Sequence, residues 1–362
     1  MNSRERILRA LDHKQPDRVP VFELYINESS IVKLAEVLRP ETVEVKATKD
    51  RFGEERLEIL DIYSFLIKEL ELDATCTNFS MGLERISENR GRDKYGTLYC
   101  LSEHGEPVPV EGAIGSASDI KGFDMVSKLE PDDFIRVQYV INKTGKDKAH
   151  FLTITDPFKI SWRLRGGMQY LLMDYVLNPG LVHDSARMAT DFNIAVIDMA
   201  IPMGIDALVM PGDLAGEETT LISPEHYREF IKPYHKEIVV YAHQKGLKIV
   251  KHSDGNLWPI LDDFLEVGFD GIHPIQPQCM DIGEVKKYLA GRACILGNID
   301  CRNLLPFGTK KEVEQTVKET IEKASRGGNY IVTSSNSIHP ACKPENYIAM
   351  VKAVHKYGIY NR

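Results

Sequence analysis

The stretch Lys251-His252-Ser253-Asp254-Gly255-Asn256 is where the chemistry of this chain is most legible. It follows the apolar run 247–250, which reads as a buried strand, and it precedes 258–267, which reads as a helix. A histidine and an aspartate two apart, where a strand runs out, both face the space beyond the strand end. In a parallel α/β protein, ligands and catalysis gather in that space. A plainer reading is a helix N-cap, for which Asp254 and Asn256 are suited. An imidazole nitrogen beside a carboxylate oxygen is also a donor set for zinc, which would polarise a substrate oxygen. Asp213, Glu217 or His273 would complete such a shell. The H-x-D pattern is short and common, and proton transfer remains open.

Other strand ends carry polar groups too. Eight apolar runs read as strands: Val19–Tyr25, Ala74–Thr77, Phe151–Thr155, Ala207–Met210, Lys248–His252, Gly271–His273, Ala293–Leu296 and Tyr330–Thr333. In order, their ends offer Glu23, Tyr25 and Asn27; Cys76 and Asn78; Asp156; Asp213; His252 and Asp254; His273 and Gln276; Asn298 and Asp300; and Ser334, Ser335 and Asn336. Singly, each reads as well as a cap or a loop brace. Together they read as the mouth of one barrel. There is no H-E-x-x-H, no G-x-S-x-G and no C-x-x-C.

The elements between the strands are helical. Ile59, Ile62, Tyr63, Leu66, Ile67 and Leu70 mark one apolar helix face. Ser223-Pro224-Glu225 opens a helix running to Gly246, and Thr309 to Arg326 is another. This alternation predicts an α/β fold, a (β/α)8 TIM barrel in a single domain over 1–362. A doubly wound sheet is the competitor, but no glycine-rich phosphate loop follows the first strand. Residues 79–130, rich in glycine and poor in helix, read as an insertion between strands two and three that shapes the pocket.

Composition bounds the function. A hydrophobic content of 43% is ample for a full core, and a net charge of -8 offers no basic stripe for nucleic acid. No run approaches a membrane span, and no apolar signal core opens the chain. Six cysteines without close pairs fit reduced thiols, so a soluble cytoplasmic protein is expected.

The chain resembles the uroporphyrinogen decarboxylase superfamily, a (β/α)8 barrel group. The resemblance rests on Arg4-Glu5-Arg6-Ile7-Leu8-Arg9-Ala10-Leu11, Pro16-Asp17-Arg18-Val19-Pro20-Val21, Gly212-Asp213, Ile222-Ser223-Pro224-Glu225, His252-Ser253-Asp254-Gly255-Asn256, Gly297-Asn298-Ile299-Asp300 and Pro344-Glu345-Asn346. One branch decarboxylates porphyrinogens and carries an R-Q-A-G-R-Y segment whose arginines hold carboxylates. Here that segment is Glu23-Leu24-Tyr25-Ile26-Asn27-Glu28. The other branch is similar to zinc- and corrinoid-dependent methyltransferases. Its coenzyme M members ligate zinc through H-x-C and a later cysteine. Those positions here are His252-Ser253-Asp254 and the neighbourhood of Asn336.

The resemblance therefore implies a methyltransferase for oxygen-bound methyl groups, of the methoxylated-aromatic O-demethylase type. It implies zinc on His252, Asp254, Glu217 and Asn336, and cobalamin carried by a corrinoid protein partner. Asp213, Glu23 and Asp156 become the candidates to bind or protonate a small-molecule methyl donor. Tyr25, Asn27, Asn78, His273 and Asn298 become substrate contacts, with Phe79 and Met81 as further ring surface. A homodimer is left open. The alternative is a metal-free decarboxylase, and a non-catalytic binding protein is a third reading.

Overall fold

The computed structural model describes residues 1–40, 45, 56–102 and 107–360. Strand β1 (Ala74–Asn78) is followed by β2 (Glu84–Ser87), β3 (Arg90–Arg92), β4 (Leu98–Leu101) and β5 (Pro107–Glu111). Then come β6 (Ala149–Thr153), β7 (Ala207–Pro211), β8 (Lys248–His252), β9 (Gly271–His273), β10 (Cys294–Leu296) and β11 (Tyr330–Ile331). Strands β1 and β6 to β11 pair in chain order, all parallel, as one seven-stranded sheet. Helices separate each consecutive pair, as parallel crossovers require.

The sheet curls until residues 20–22 touch both of its edges. The Asp73 amide donates to the Val21 carbonyl at 2.8 Å, and the Val332 amide donates to the Pro20 carbonyl at 2.9 Å. The expected strand Val19–Tyr25 is thus reduced to a single parallel bridge, Val21 to Val332. Pro20 has no amide to donate, which shortens the ladder.

Alternation along the strands makes two cores. One lies inside the curl. Ala74, Phe151, Val209, Val250 and Leu296 point there, and Ile7, Ala10 and Leu11 of the helix Ser3–Leu11 close its N-terminal end. The other lies between sheet and helices, where Leu152, Leu208, Met210, Ile249 and Ile272 meet the apolar helix faces. Each such side chain contributes about 1.5–3 kcal/mol by leaving water. The interior layer above Phe151, Val209 and Val250 changes character. It is formed by Thr153, Pro211 and His252, and a cavity opens there.

One helix also differs from the sequence reading, and the 79–130 segment takes a definite form. The helix expected from Ser223 to Gly246 is two, Pro224–Phe230 and Lys232–Gln244. Pro233 supplies no amide to the preceding turn, and Ile231 leaves helical geometry at φ -124, ψ -49. Within 79–130, β2 to β5 form a four-stranded antiparallel sheet paired in chain order. It is rooted on the helical layer: Tyr95 meets Phe192 edge-on at 5.4 Å. Gly112 touches Leu164 so closely that a Cβ would sit 2.1 Å from its carbonyl oxygen.

Candidate functional site

His252 is the last residue of β8, on the inner face, while Lys251 points the other way into the helical layer. Its partner in register on β9 is His273, and the two Nδ1 atoms lie 2.7 Å apart. One ring must donate and the other accept. The Ser334 carbonyl favours a proton on His273, although the buried Nε2 of that ring makes no well-formed hydrogen bond. With that proton on Nε2, His252 donates to His273 and keeps a free lone pair on its own Nε2.

That lone pair faces two carboxylates. Asp213 Oδ1 is 3.6 Å away and Asp254 Oδ1 is 3.9 Å away. The ligand atoms of Asp213, His252 and Asp254 all fall within 4.8 Å of one another. Loop geometry builds this cluster. Gly255, at φ +93, presses against the Ala215–Gly216 backbone, where a Cβ would lie 2.5 Å from the Gly216 oxygen. The Asp254 amide donates to Asp213 Oδ1 at 3.2 Å, and the Asn336 side chain donates to Asp254 Oδ2.

Electrostatics keep the three groups distinct. Burial pushes the His252 imidazole down to about 4, against the pull of Asp213, so it is neutral at ordinary pH. Burial, then repulsion from Asp213, pushes the Asp254 carboxyl up to about 7. Burial would raise Asp213 too, but the charge of Lys159 and the Asp254 amide help to hold it below its ordinary value. Asp254 Oδ1 is buried and has no hydrogen-bond partner among the described residues. The donor set fits zinc: a neutral imidazole and two carboxylates, whose oxygens lie 3.6 Å and 3.9 Å from the His252 Nε2, against the roughly 3.4 Å expected of two ligands on one ion.

The other expected site residues are spread more widely. Glu23 is buried, 2% exposed, and accepts from the Ser334 amide at 2.9 Å and its hydroxyl at 2.7 Å, so it braces the edges of the sheet. Asp156 lies fully buried between His235 Nε2 and Lys251 Nζ, both at 2.8 Å, and caps the Phe158 amide. These partners outweigh burial and hold Asp156 ionised far below the usual carboxylate range. It is a buried ion-pair anchor behind the sheet rather than a group facing substrate. Glu217 sits in solvent, paired with Arg302 at 2.6 Å, and is not brought to the cluster. Asn336 reaches the cluster through its bond to Asp254. Asn27 caps the helix Glu28–Leu38, and Asn298 donates to the Ile275 carbonyl at 2.9 Å, so both are held by backbone.

Tyr25, Asn78, Phe79, Met81, His252 and Asn336 do share a space. They line a cavity of ≈ 380 Å³ with Leu24, Cys76, Thr153, Thr155, Val209 and Pro211. Asn336 and Ser337 also line a second cleft, which Asp254 lines as well. The sequence reading missed two cations in the first cavity, Lys159 and Arg163. Their signal was modest: two basic residues four apart, just after the Asp156-Pro157 strand end. It missed His235 as well. Lys251, a lysine at the end of a buried apolar run, was the readable sign of a buried ion pair.

A family model for uroporphyrinogen decarboxylase (URO-D) matches residues 101–357. The uroporphyrinogen decarboxylase of Thioalkalivibrio sulfidiphilus is 24% identical over 187 residues, 50% of each chain. The methylcobamide:CoM methyltransferase MtbA of Methanosarcina acetivorans is 25% identical over 188 residues, 51% of this chain and 53% of that one. The chain thus spans about half the length of the curated relatives it matches. In three dimensions it is similar to a methyltransferase from Methanosarcina mazei, with a TM-score of 0.73 and 20% identity, covering 99% of both chains. That likeness shows the fold: a curled parallel sheet of the TIM-like kind. No described helix is long and apolar enough to cross a membrane.

Proposed function

The chain belongs to the uroporphyrinogen decarboxylase family, and we propose that it is a corrinoid-dependent methyltransferase of the O-demethylating type. In this reading it removes the methyl group of a small methoxylated aromatic and delivers it to a cobalamin held by a partner protein. The fold is read as a (β/α)8 barrel whose first stave is the bridged segment Val19–Tyr25, with 79–130 inserted between the second and third staves. The observation that carries the function is the oxygen-and-nitrogen cluster of His252, Asp213 and Asp254 beside the cavity mouth, with Asp254 Oδ1 left unpartnered. Relatives that transfer methyl groups between methylcobamide or methylated thiols and coenzyme M support the reaction class. The absence of thiols from the cluster supports an oxygen-bound methyl group rather than a thiol substrate.

Zinc, when bound, would supply a Lewis acid that lowers the cost of negative charge on the departing oxygen. The ligands would be His252, Asp213 and Asp254. The chain's own residues do the rest. His273 orients the His252 ring, and Asn336 fixes Asp254. Leu24, Phe79, Met81 and Val209 give the ring an apolar bed and exclude water from it. The ether carbon–oxygen bond breaks with its electron pair on oxygen. The chain must therefore seat that oxygen by the cluster and leave the methyl facing open space. The two clefts that meet at Asn336 suit a transfer between two partners.

Metal-free decarboxylation of a carboxylated substrate is the second reading, and Lys159 and Arg163 in the cavity are what favours it. Metal analysis separates the two. The purified protein should carry about one zinc per chain, and His252→Ala should lose it while keeping the wild-type circular dichroism spectrum. Retained zinc in His252→Ala would remove the assigned ligand set. No zinc in either protein, even after reloading, would leave decarboxylation ahead.

A further inference from the structure

Lys159 and Arg163 lie four residues apart on the helix Pro157–Leu164, so one helix face carries both toward the chamber that His252 also lines. Arg163 Nε is buried without a hydrogen-bond partner among the described residues. Among the described residues no protein group hydrogen-bonds Lys159 either: burial, then the charge of Arg163, lowers its pKa, with Asp213 and Asp156 acting only at a distance. Both acids are already committed. Asp156 is shared by His235 and Lys251, and Asp213 faces His252 and the Asp254 amide. Asp93 senses Arg163, yet it accepts from the Tyr99 hydroxyl at 3.0 Å and from the Tyr95 and Thr97 amides. Two like charges at this spacing repel each other, and an unpaired cation away from water is costly. An anion in the chamber would relieve both.

We propose that Lys159 and Arg163 form a subsite for a carboxylate of the substrate, so that the chamber takes a small acid with its reacting end toward His252. This rests on reading the cavity as the methyl donor's chamber. A cavity of ≈ 380 Å³ whose walls mix polar groups with Leu24, Phe79, Met81 and Val209 suits a single ring or short chain bearing a charged group. The guanidinium fork matches a carboxylate. A phosphate is less suited, because the nearby helix N-terminus is already capped by Asp156 through the Phe158 amide.

The test is calorimetric titration of the full chain with para-methoxybenzoate, para-methoxybenzamide and inorganic phosphate. The acid should bind at least about tenfold more tightly than the neutral amide, and Lys159→Met and Arg163→Met should each weaken it about tenfold. The amide's affinity should hardly change. Thermal melts of the variants should stay level or rise, because each removes an unpaired cation; a merely structural role would lower them. Equal binding of acid and amide, unchanged affinity in the double variant, or no saturable binding up to millimolar concentrations would overturn the subsite. So would phosphate competing as well as the benzoate. Binding as expected without methyl transfer would leave the subsite standing and remove the methyltransferase reading. Turnover of neutral methoxyarenes, unchanged in the double variant, would do the reverse.

Discussion

Replacing Glu23 by glutamine should abolish a pH dependence of stability that is written into the seam of the curled sheet. Burial, opposed by two hydrogen bonds from Ser334, raises the Glu23 carboxyl from 4.5 to about 8. The folded state therefore binds this proton more tightly than the unfolded state does. Its stabilising contribution is fully present below about pH 4.5 and is lost as pH rises toward about 8. At about 1.4 kcal/mol for each pH unit, the loss is capped near roughly 5 kcal/mol, and residual solvation will make it smaller. Glutamine is the neutral isostere. Its carbonyl can accept from the Ser334 amide, and the Ser334 hydroxyl can turn to accept from its NH₂. Urea unfolding of both proteins from pH 5 to pH 9 measures the effect. The two stabilities should converge near pH 5, and the variant should lead by a widening margin up to about pH 8. Parallel curves, or a variant weaker at every pH, would refute the argument that Glu23 is buried as a strained acid.

Four further outcomes follow from the geometry. Asp156→Asn strands Lys251 without its anion behind the sheet and should cost about 3–5 kcal/mol in urea unfolding; a loss under about 1 kcal/mol would contradict the ion-pair assignment. Gly255→Ala drives a Cβ into the Gly216 carbonyl and a positive φ, so it should lower zinc content together with melting temperature, whereas normal zinc content would show that the loop is not what sets the cluster. Glu217→Gln removes only a surface pair with Arg302; stability should hold within about 0.5 kcal/mol and zinc content should not move, and loss of zinc would return Glu217 to the ligand set. His273→Ala should weaken zinc binding about tenfold or more by freeing the His252 ring, and unchanged affinity would show that the ring is fixed by other contacts.

What the sequence made legible follows from which forces act locally. Parallel strands buried on both faces leave unbroken apolar runs, so β6 to β11 were readable to within two residues at either end. Thr309 could be read as the start of a helix because its capping box with Glu312 is a local device. The first stave was misjudged in extent because its pairing depends on Asp73 and Val332, which are distant in sequence. The site shows the same division. His252 and Asp254 are two apart on a strand end, so their convergence is a local fact. Asp213 joins them only because β7 and β8 are neighbours. Glu23, Asp156 and Glu217 are acids at strand ends or in loops, and nothing in their local sequence distinguishes an acid facing a chamber from one clasped behind the sheet or left in water. The distinction comes from partners far along the chain: Ser334 for Glu23, Lys251 and His235 for Asp156, Arg302 for Glu217. By the same logic nothing in the local sequence separates Lys159 and Arg163 from an ordinary solvated helix face. Only the curl of the sheet shows that their face meets a chamber with no anion among the described residues paired to them, and that missing counter-charge is the best guide to what the chamber holds.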